Sequence, residues 1–240
     1  MLAFGKVDLF LPVIRRVLAA AQSLGGVLPM VAAPVEARAE ALHGIAYRWF
    51  RTADLVALLT VCGRVVEDGG LGRIFRAGPA RECLGGAITT LRTHAADAAR
   101  FSAVGPAFPS LFPHPEAGSA CKRWLMLLRW MVRRTEPDLG LWTHLDPAQL
   151  VIPCDTHVGR VGRMLGLTHR ASDDWRTAVE ITAALARLDP QDPTRYDFAL
   201  AHLGISGDCR GYRIPEVCPS CPLEPLCEAP LVRDSRRRSR

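Results

Sequence analysis

Long apolar runs are missing from this chain. No uninterrupted stretch reaches about 18 residues, which argues against a membrane-spanning helix. The nearest candidate, Leu9 to Val31, is interrupted by Arg15 and Arg16 and broken by Gly25, Gly26 and Pro29. A clean secretory leader is missing too: the same two arginines divide the apolar region, and no small-residue cleavage pattern follows it. The start therefore reads as a cytoplasmic amphipathic segment. No stretch demands a β-strand, no internal repeat is evident, and the cysteines are not spread as in a small secreted scaffold.

What is present is the composition of a folded protein. Half of the 240 residues are apolar, 22% are charged, and the formal net charge is +6. The length allows one or two globular domains, and the positive balance permits an anionic partner without naming one. Nothing identifies a protein partner.

Helical signals dominate. Val7 to Ala20 repeats apolar residues at helical spacing, with Pro12 expected near the helix start. Thr52 to Val66 carries Leu55, Leu58, Leu59 and Cys62 on one side and stops at Glu67-Asp68-Gly69-Gly70. A further run spans about Gly85 to Phe101. Gly105 to Gly118, with four prolines and two phenylalanines, reads as a loop. It feeds Ser119 to Arg133, a strongly amphipathic helix whose charged side includes Lys122, Arg123, Arg129 and Arg133. Asp155 opens the next helix, Trp175 to Leu188 forms another, and Tyr196 to Leu203 one more. The expected fold class is all-α, as one compact unit or two helical lobes.

Three clusters carry chemistry. The first is Cys209-x8-Cys218-x2-Cys221-x5-Cys227, four soft ligands in one proline-rich loop. Four cysteines suit a [4Fe–4S] cluster or structural zinc; only one close CxxC pair is present, so the iron–sulfur cluster is favoured. Arg210, inside the ligand span, is either a phosphate contact or solvated charge. The second is Gly118-Ser119-Ala120-Cys121-Lys122-Arg123, small residues before a helix whose first N–H groups are free to meet an anion. Ser119 and Arg123 become candidate nucleic-acid contacts. Lys122 becomes a candidate amine nucleophile, its proton loosened by the positive helix end and Arg123. The third is Cys154-Asp155-Thr156-His157-Val158-Gly159-Arg160. Asp155 is either a plain helix cap or a carboxylate that stabilises positive charge on a sugar. His157 is either a candidate phosphate contact or the partner of a core carbonyl, and Arg160, three residues before Arg163, is a candidate phosphate contact or part of a solvated edge.

Gly118 to Arg123, Arg129-Trp130-Met131-Val132-Arg133 and Asp155-Thr156-His157 resemble the DUF2400 family of uncharacterised bacterial proteins, over roughly residues 1 to 228. More distantly, the three clusters resemble the helix-hairpin-helix DNA glycosylase superfamily, including its iron–sulfur branch around endonuclease III. That resemblance implies a helix-hairpin-helix glycosylase-like fold with a C-terminal four-cysteine metal-cluster loop. It implies catalytic Lys122 and Asp155, and a cluster held by Cys209, Cys218, Cys221 and Cys227. The sequence departs from the pattern in the hairpin, His114-Pro115-Glu116-Ala117-Gly118-Ser119-Ala120, and in the longer first cysteine interval. The 33-residue separation of Lys122 and Asp155 is similar to that in the archaeal 8-oxoguanine glycosylases called AGOG.

The expected organisation is a glycosylase-like domain over 1–205, lacking further N-terminal sequence in one reading. A cluster loop would follow over 206–228, then a basic flexible tail over 229–240. The expected function is a DNA base-excision glycosylase with AP lyase activity through a lysine Schiff base, DNA being the partner. The alternative is a noncatalytic iron–sulfur protein that binds DNA or RNA; electron transfer is a third reading that leaves Lys122 and Asp155 unexplained.

Overall fold

The computed structural model describes residues 1–207 and 209–230. Most of the expected basic tail, 231–240, lies outside the described residues. Among those described, the chain is all-α. The one β feature is an isolated bridge between Tyr47 and Phe50, and no helix is long and apolar enough to cross a membrane. The chain divides into two compact units. One holds residues 1–76 and 81–114; the other holds 77–80 and the described residues from Pro115 onward.

The first unit contains α1 (Val7–Ser23), α2 (Val27–Ala32), α3 (Val35–Ala41), α4 (Thr52–Glu67), α5 (Leu71–Ile74) and nearly all of α6 (Ala80–Arg100). Pro12 lies inside α1 rather than at its start. Proline there removes one intrahelical bond but leaves the rest of the ladder intact. On α4 the buried stripe is Asp54 to Ala57, Val61 and Val65, whereas Cys62, expected on the apolar side, is exposed. The buried carboxylate of Asp54 explains the shift. It accepts from Arg51 N at the head of α4 and from Gly105 N, both at 2.8 Å, tying the proline-rich loop to the helix. That loop is not all surface: Phe108, Leu111 and Phe112 are 1–2% exposed, and a 3-10 turn over Phe108–Leu111 orders them.

The second unit contains α7 (Lys122–Val132), α8 (Thr156–Met164), α9 (Trp175–Ala186) and α10 (Asp197–Ile205), linked by short 3-10 turns. Its heads are built by side-chain caps where the sequence puts aspartate first. Asp155 caps α8, and Asp174 accepts from Thr177 N to cap α9. The α7 helix starts differently. Cys121, its N-cap, is a non-glycine residue in the left-handed region at φ 49°. Gly118 (φ 81°) shares that handedness, and its carbonyl accepts from Trp175 N, pinning the hairpin to the head of α9. The α8 and α10 helices pack closely at Gly204, where an added Cβ would stand 2.8 Å from the His157 Cβ.

The expected metal-cluster loop is overturned. Among the described residues, no group of three or more His, Cys, Asp or Glu side chains is placed to hold a metal ion. This removes the [4Fe–4S] cluster, its zinc alternative and the metal-ligand roles of Cys209, Cys218, Cys221 and Cys227. A metal needs its ligand atoms to converge, whereas these sulfurs have other neighbours. Cys209 Sγ meets Met164 Sδ at 3.7 Å, Cys218 Sγ accepts from Ile214 N, and Cys227 Sγ accepts from Ala229 N. Burial also pushes the Cys209 thiol up, away from thiolate. All four cysteines do line one cavity of about 370 Å³, walled by Val161, Met164 and Leu203. Arg213 fastens the loop instead, through Glu224 and the Cys227 carbonyl.

Candidate active site at the heads of α7 and α8

Two helix heads meet in the second unit. Lys122, the first residue of α7, donates from Nζ to Asp155 Oδ2 at 2.6 Å. The other carboxylate oxygen, Oδ1, accepts from His157 N and Val158 N, each at 2.9 Å. The cap expected from the sequence is present, and the same side chain does a second thing: one oxygen caps α8 and the other holds the amine. Burial pushes the Asp155 carboxyl up, but Lys122 and the two N–H groups outweigh it and leave it below the ordinary carboxylate range. The site is open on the lysine side, where the side chain is 41% exposed against 19% for Asp155.

Lysine is rare here. Of the chain's 30 Lys and Arg residues, only Lys6 and Lys122 are lysines. The distinction is chemical, since a guanidinium keeps its proton throughout the accessible pH range and an amine does not.

The neighbouring candidates are distributed around this pair. Ser119 Oγ accepts from Cys121 N at 3.2 Å and so shapes the turn into α7. Arg123, next to Lys122, is half-buried, and burial draws its guanidinium below the usual value. His157 Nδ1 donates to the Gly204 carbonyl at 2.9 Å, and Arg160 Nη2 donates to the same oxygen at 2.8 Å. Both side chains therefore bind the C-terminal end of α10, where carbonyls lack helical partners. Arg210 is exposed and bonds within its own loop, to the Gly207 carbonyl. Cys154, beside Asp155, is buried, and its thiol is pushed up to about 12, by burial first and then by Asp173 and Asp155. Such a shift favours the protonated, less nucleophilic thiol.

A family model described as "Protein of unknown function (DUF2400)" matches residues 1–206. The chain belongs to the DUF2400 family. No curated protein and no solved structure matches it. The DUF2400 match contains Lys122 and Asp155 and ends before Cys209, so it covers the paired helix heads and not the cysteine loop.

One buried ionic feature of this DUF2400 protein escapes sequence reading. Arg129 and Arg133, expected on the solvent side of α7, are each only 7% exposed. Arg129 donates to Asp138 and Asp197, while Arg133 donates to Asp138 and to both oxygens of Asp192. The available signal was their spacing: Lys122, Arg129 and Arg133 recur on one helical face.

Proposed function

We propose that this protein is a DNA base-excision glycosylase whose Lys122 forms a Schiff base with the target sugar. The observation that carries the reading is the Lys122–Asp155 contact, an openly placed amine 2.6 Å from a carboxylate held ionised at a helix head. The resemblance to helix-hairpin-helix glycosylases, carried by these positions, supplies the substrate class. The iron–sulfur branch of that resemblance gives no further support, because the cysteines do not form a cluster site.

The chemistry requires a nucleotide turned out of the duplex and presented to the exposed lysine. The Lys122 ammonium gives its proton to Asp155, which relays it to the departing base. The freed nitrogen lone pair bonds to C1′ as the C1′–N bond breaks, its electron pair leaving with the base. The attached nitrogen then passes a proton to O4′, the C1′–O4′ electron pair leaves on O4′ as a hydroxyl, and the nitrogen lone pair forms the C1′ iminium. Loss of a C2′ proton and of the 3′ phosphate by elimination then cleaves the strand. Once the proton has passed to the base, the Asp155 carboxylate stabilises the positive charge that builds on the sugar.

Borohydride tests this directly, because it reduces the iminium to a stable secondary amine. The full chain is incubated with duplexes carrying abasic sites or a panel of damaged bases, and covalent adducts are separated by denaturing electrophoresis. An adduct that disappears in Lys122→Ala and persists in Lys6→Ala is the expected result. Binding of DNA without adduct on any substrate rejects Schiff-base chemistry, and release of free base then separates monofunctional excision from simple binding.

A further inference from the structure

The first unit holds a cavity of its own, of about 630 Å³, within the size range of small-molecule sites. Charged side chains dominate its wall. Arg73, on α5, and Arg76, just beyond it, supply two guanidiniums. Asp68, the C-cap of α4, and Glu82, in the first turn of α6, supply two carboxylates. Gly86 and Thr90 follow Glu82 at intervals of four residues, so one stripe of α6 faces the cavity. His94 continues that stripe by one more turn, and its Nε2 donates to Asp68 Oδ2 at 2.9 Å.

The cations are held in place without being neutralised. Among the described residues, Arg73 and Arg76 form no ion pair, and neither does Glu82 on the same wall. Arg73 lies along the backbone at Gly69 (φ 93°), where an added Cβ would stand 2.8 Å from its Cδ and Nη1. Asp68 is engaged by His94, which offsets the cost of a carboxylate at the negative end of a helix. Gly86 is the second sign of an occupant. Glycine inside a helix weakens it, yet a Cβ there would meet nothing within 4 Å. The α6 helix therefore keeps open space where an ordinary side chain would fit.

We propose that this cavity binds a sugar phosphomonoester, free or as a nucleotide, with its phosphate on Arg73 and Arg76 and its hydroxyls toward the remaining acceptors. Two guanidiniums match the roughly −1.5 to −2 charge of a phosphomonoester near pH 7, and their planar forks suit its oxygens. Glu82 and Asp68 accept hydrogen bonds and repel a second anion, so the rest of the ligand must bring donors. Thr90 spends its proton on the Gly86 carbonyl at 3.2 Å, which leaves its oxygen to accept as well. Burial pushes the Cys83 thiol up, so the wall offers charge and hydrogen bonds rather than a thiolate. No residue is shared with the Lys122–Asp155 pair, and the proposal is independent of the glycosylase reading.

Isothermal titration calorimetry of the full chain tests it, with ribose 5-phosphate, adenosine monophosphate, inorganic phosphate and ribose as probes. At least one of the two sugar phosphates should bind saturably below about 1 mM, and the tighter of them names the source. Ribose should give no heat, and inorganic phosphate should bind at least about tenfold more weakly than the sugar phosphate. Arg73→Gln and Arg76→Gln together should weaken binding by about tenfold or more. Gly86→Leu should abolish it while keeping or raising the thermal midpoint, because leucine favours the helix and fills the open space. Lys122→Ala should bind as the wild type does. No saturable binding of either sugar phosphate overturns the proposal, as does equal affinity for inorganic phosphate. Unchanged binding in the double arginine variant or in folded Gly86→Leu also overturns it, because the ligand then sits elsewhere. Failure of borohydride trapping leaves it standing.

Discussion

The two ends of α7 use the same chemistry for different purposes. At its start Lys122 meets Asp155 with 41% of the lysine side chain exposed; at its end Arg129 and Arg133 meet three aspartates with 8–9% of their own side chains exposed. Solvent access decides what each pair can do. In the buried network, removing one partner strands a charge that water cannot reach, so the network fixes the second unit in one arrangement. At the open end, a stranded charge is resolvated at once. Little stability is held there, and the amine is free to exchange its proton and meet a ligand.

The largest expected effect tests the buried end. Asp138→Ala leaves two arginines partly unpaired and should cost about 3–5 kcal/mol in urea denaturation; a loss below about 1 kcal/mol would make the two ends alike. At the open end the two oxygens of Asp155 can be separated. Asp155→Ala removes cap and ion pair together, for about 1–2 kcal/mol, whereas Asp155→Asn keeps an oxygen for the cap and should cost less.

The pH dependence of the two carboxyls should differ in sign. Asp155 lies below its unfolded value, so its stabilisation is present above about pH 4 and is lost as pH falls through the depressed folded value. Asp197 lies above its unfolded value, so its contribution is greatest below about pH 4 and is lost as pH rises through about 6. Denaturation midpoints across this range should lose an acid-side rise in Asp155→Asn and a fall between about pH 4 and 6 in Asp197→Asn. Equal slopes in both would erase the distinction between them.

The smallest effect belongs to a pair exposed on both sides. Arg64 and Glu67 lie one helical turn apart on α4 with side chains 56% and 66% exposed. Arg64→Ala should change stability by less than about 0.5 kcal/mol, by the same denaturation assay.

The contrast along α7 also marks where sequence reading works. Helices α4, α8 and α9 begin and end close to where periodicity and capping residues place them, because those signals act within a few residues. Asp155 was legible both as a cap and as a candidate partner for Lys122, since its chemistry is local to a helix head. The apolar spacing of α4 points Cys62 inward, and the charge of Arg129 and Arg133 points them to solvent; the fold reverses both. In each case the deciding partner comes from a distant segment: Gly105 for Asp54, Asp192 and Asp197 for the arginines. The cysteine loop failed for the same reason in reverse. Its spacing satisfies a ligand pattern, but the chain path brings the sulfurs of Cys209, Cys218 and Cys227 to other neighbours.

The amino-acid sequence by itself determined the all-α character, the capped starts of α8 and α9, and the two residues at the open helix heads. These follow from periodicity, backbone hydrogen bonding and side-chain type, which act over a turn or two of helix. Only the tertiary structure decided that one oxygen of Asp155 caps while the other grips Lys122, that a charged face of α7 is buried, and that Asp197 at the head of α10 pairs with Arg129. Burial and electrostatic coupling depend on which segments share a volume, and segments far apart in the chain meet only in the fold.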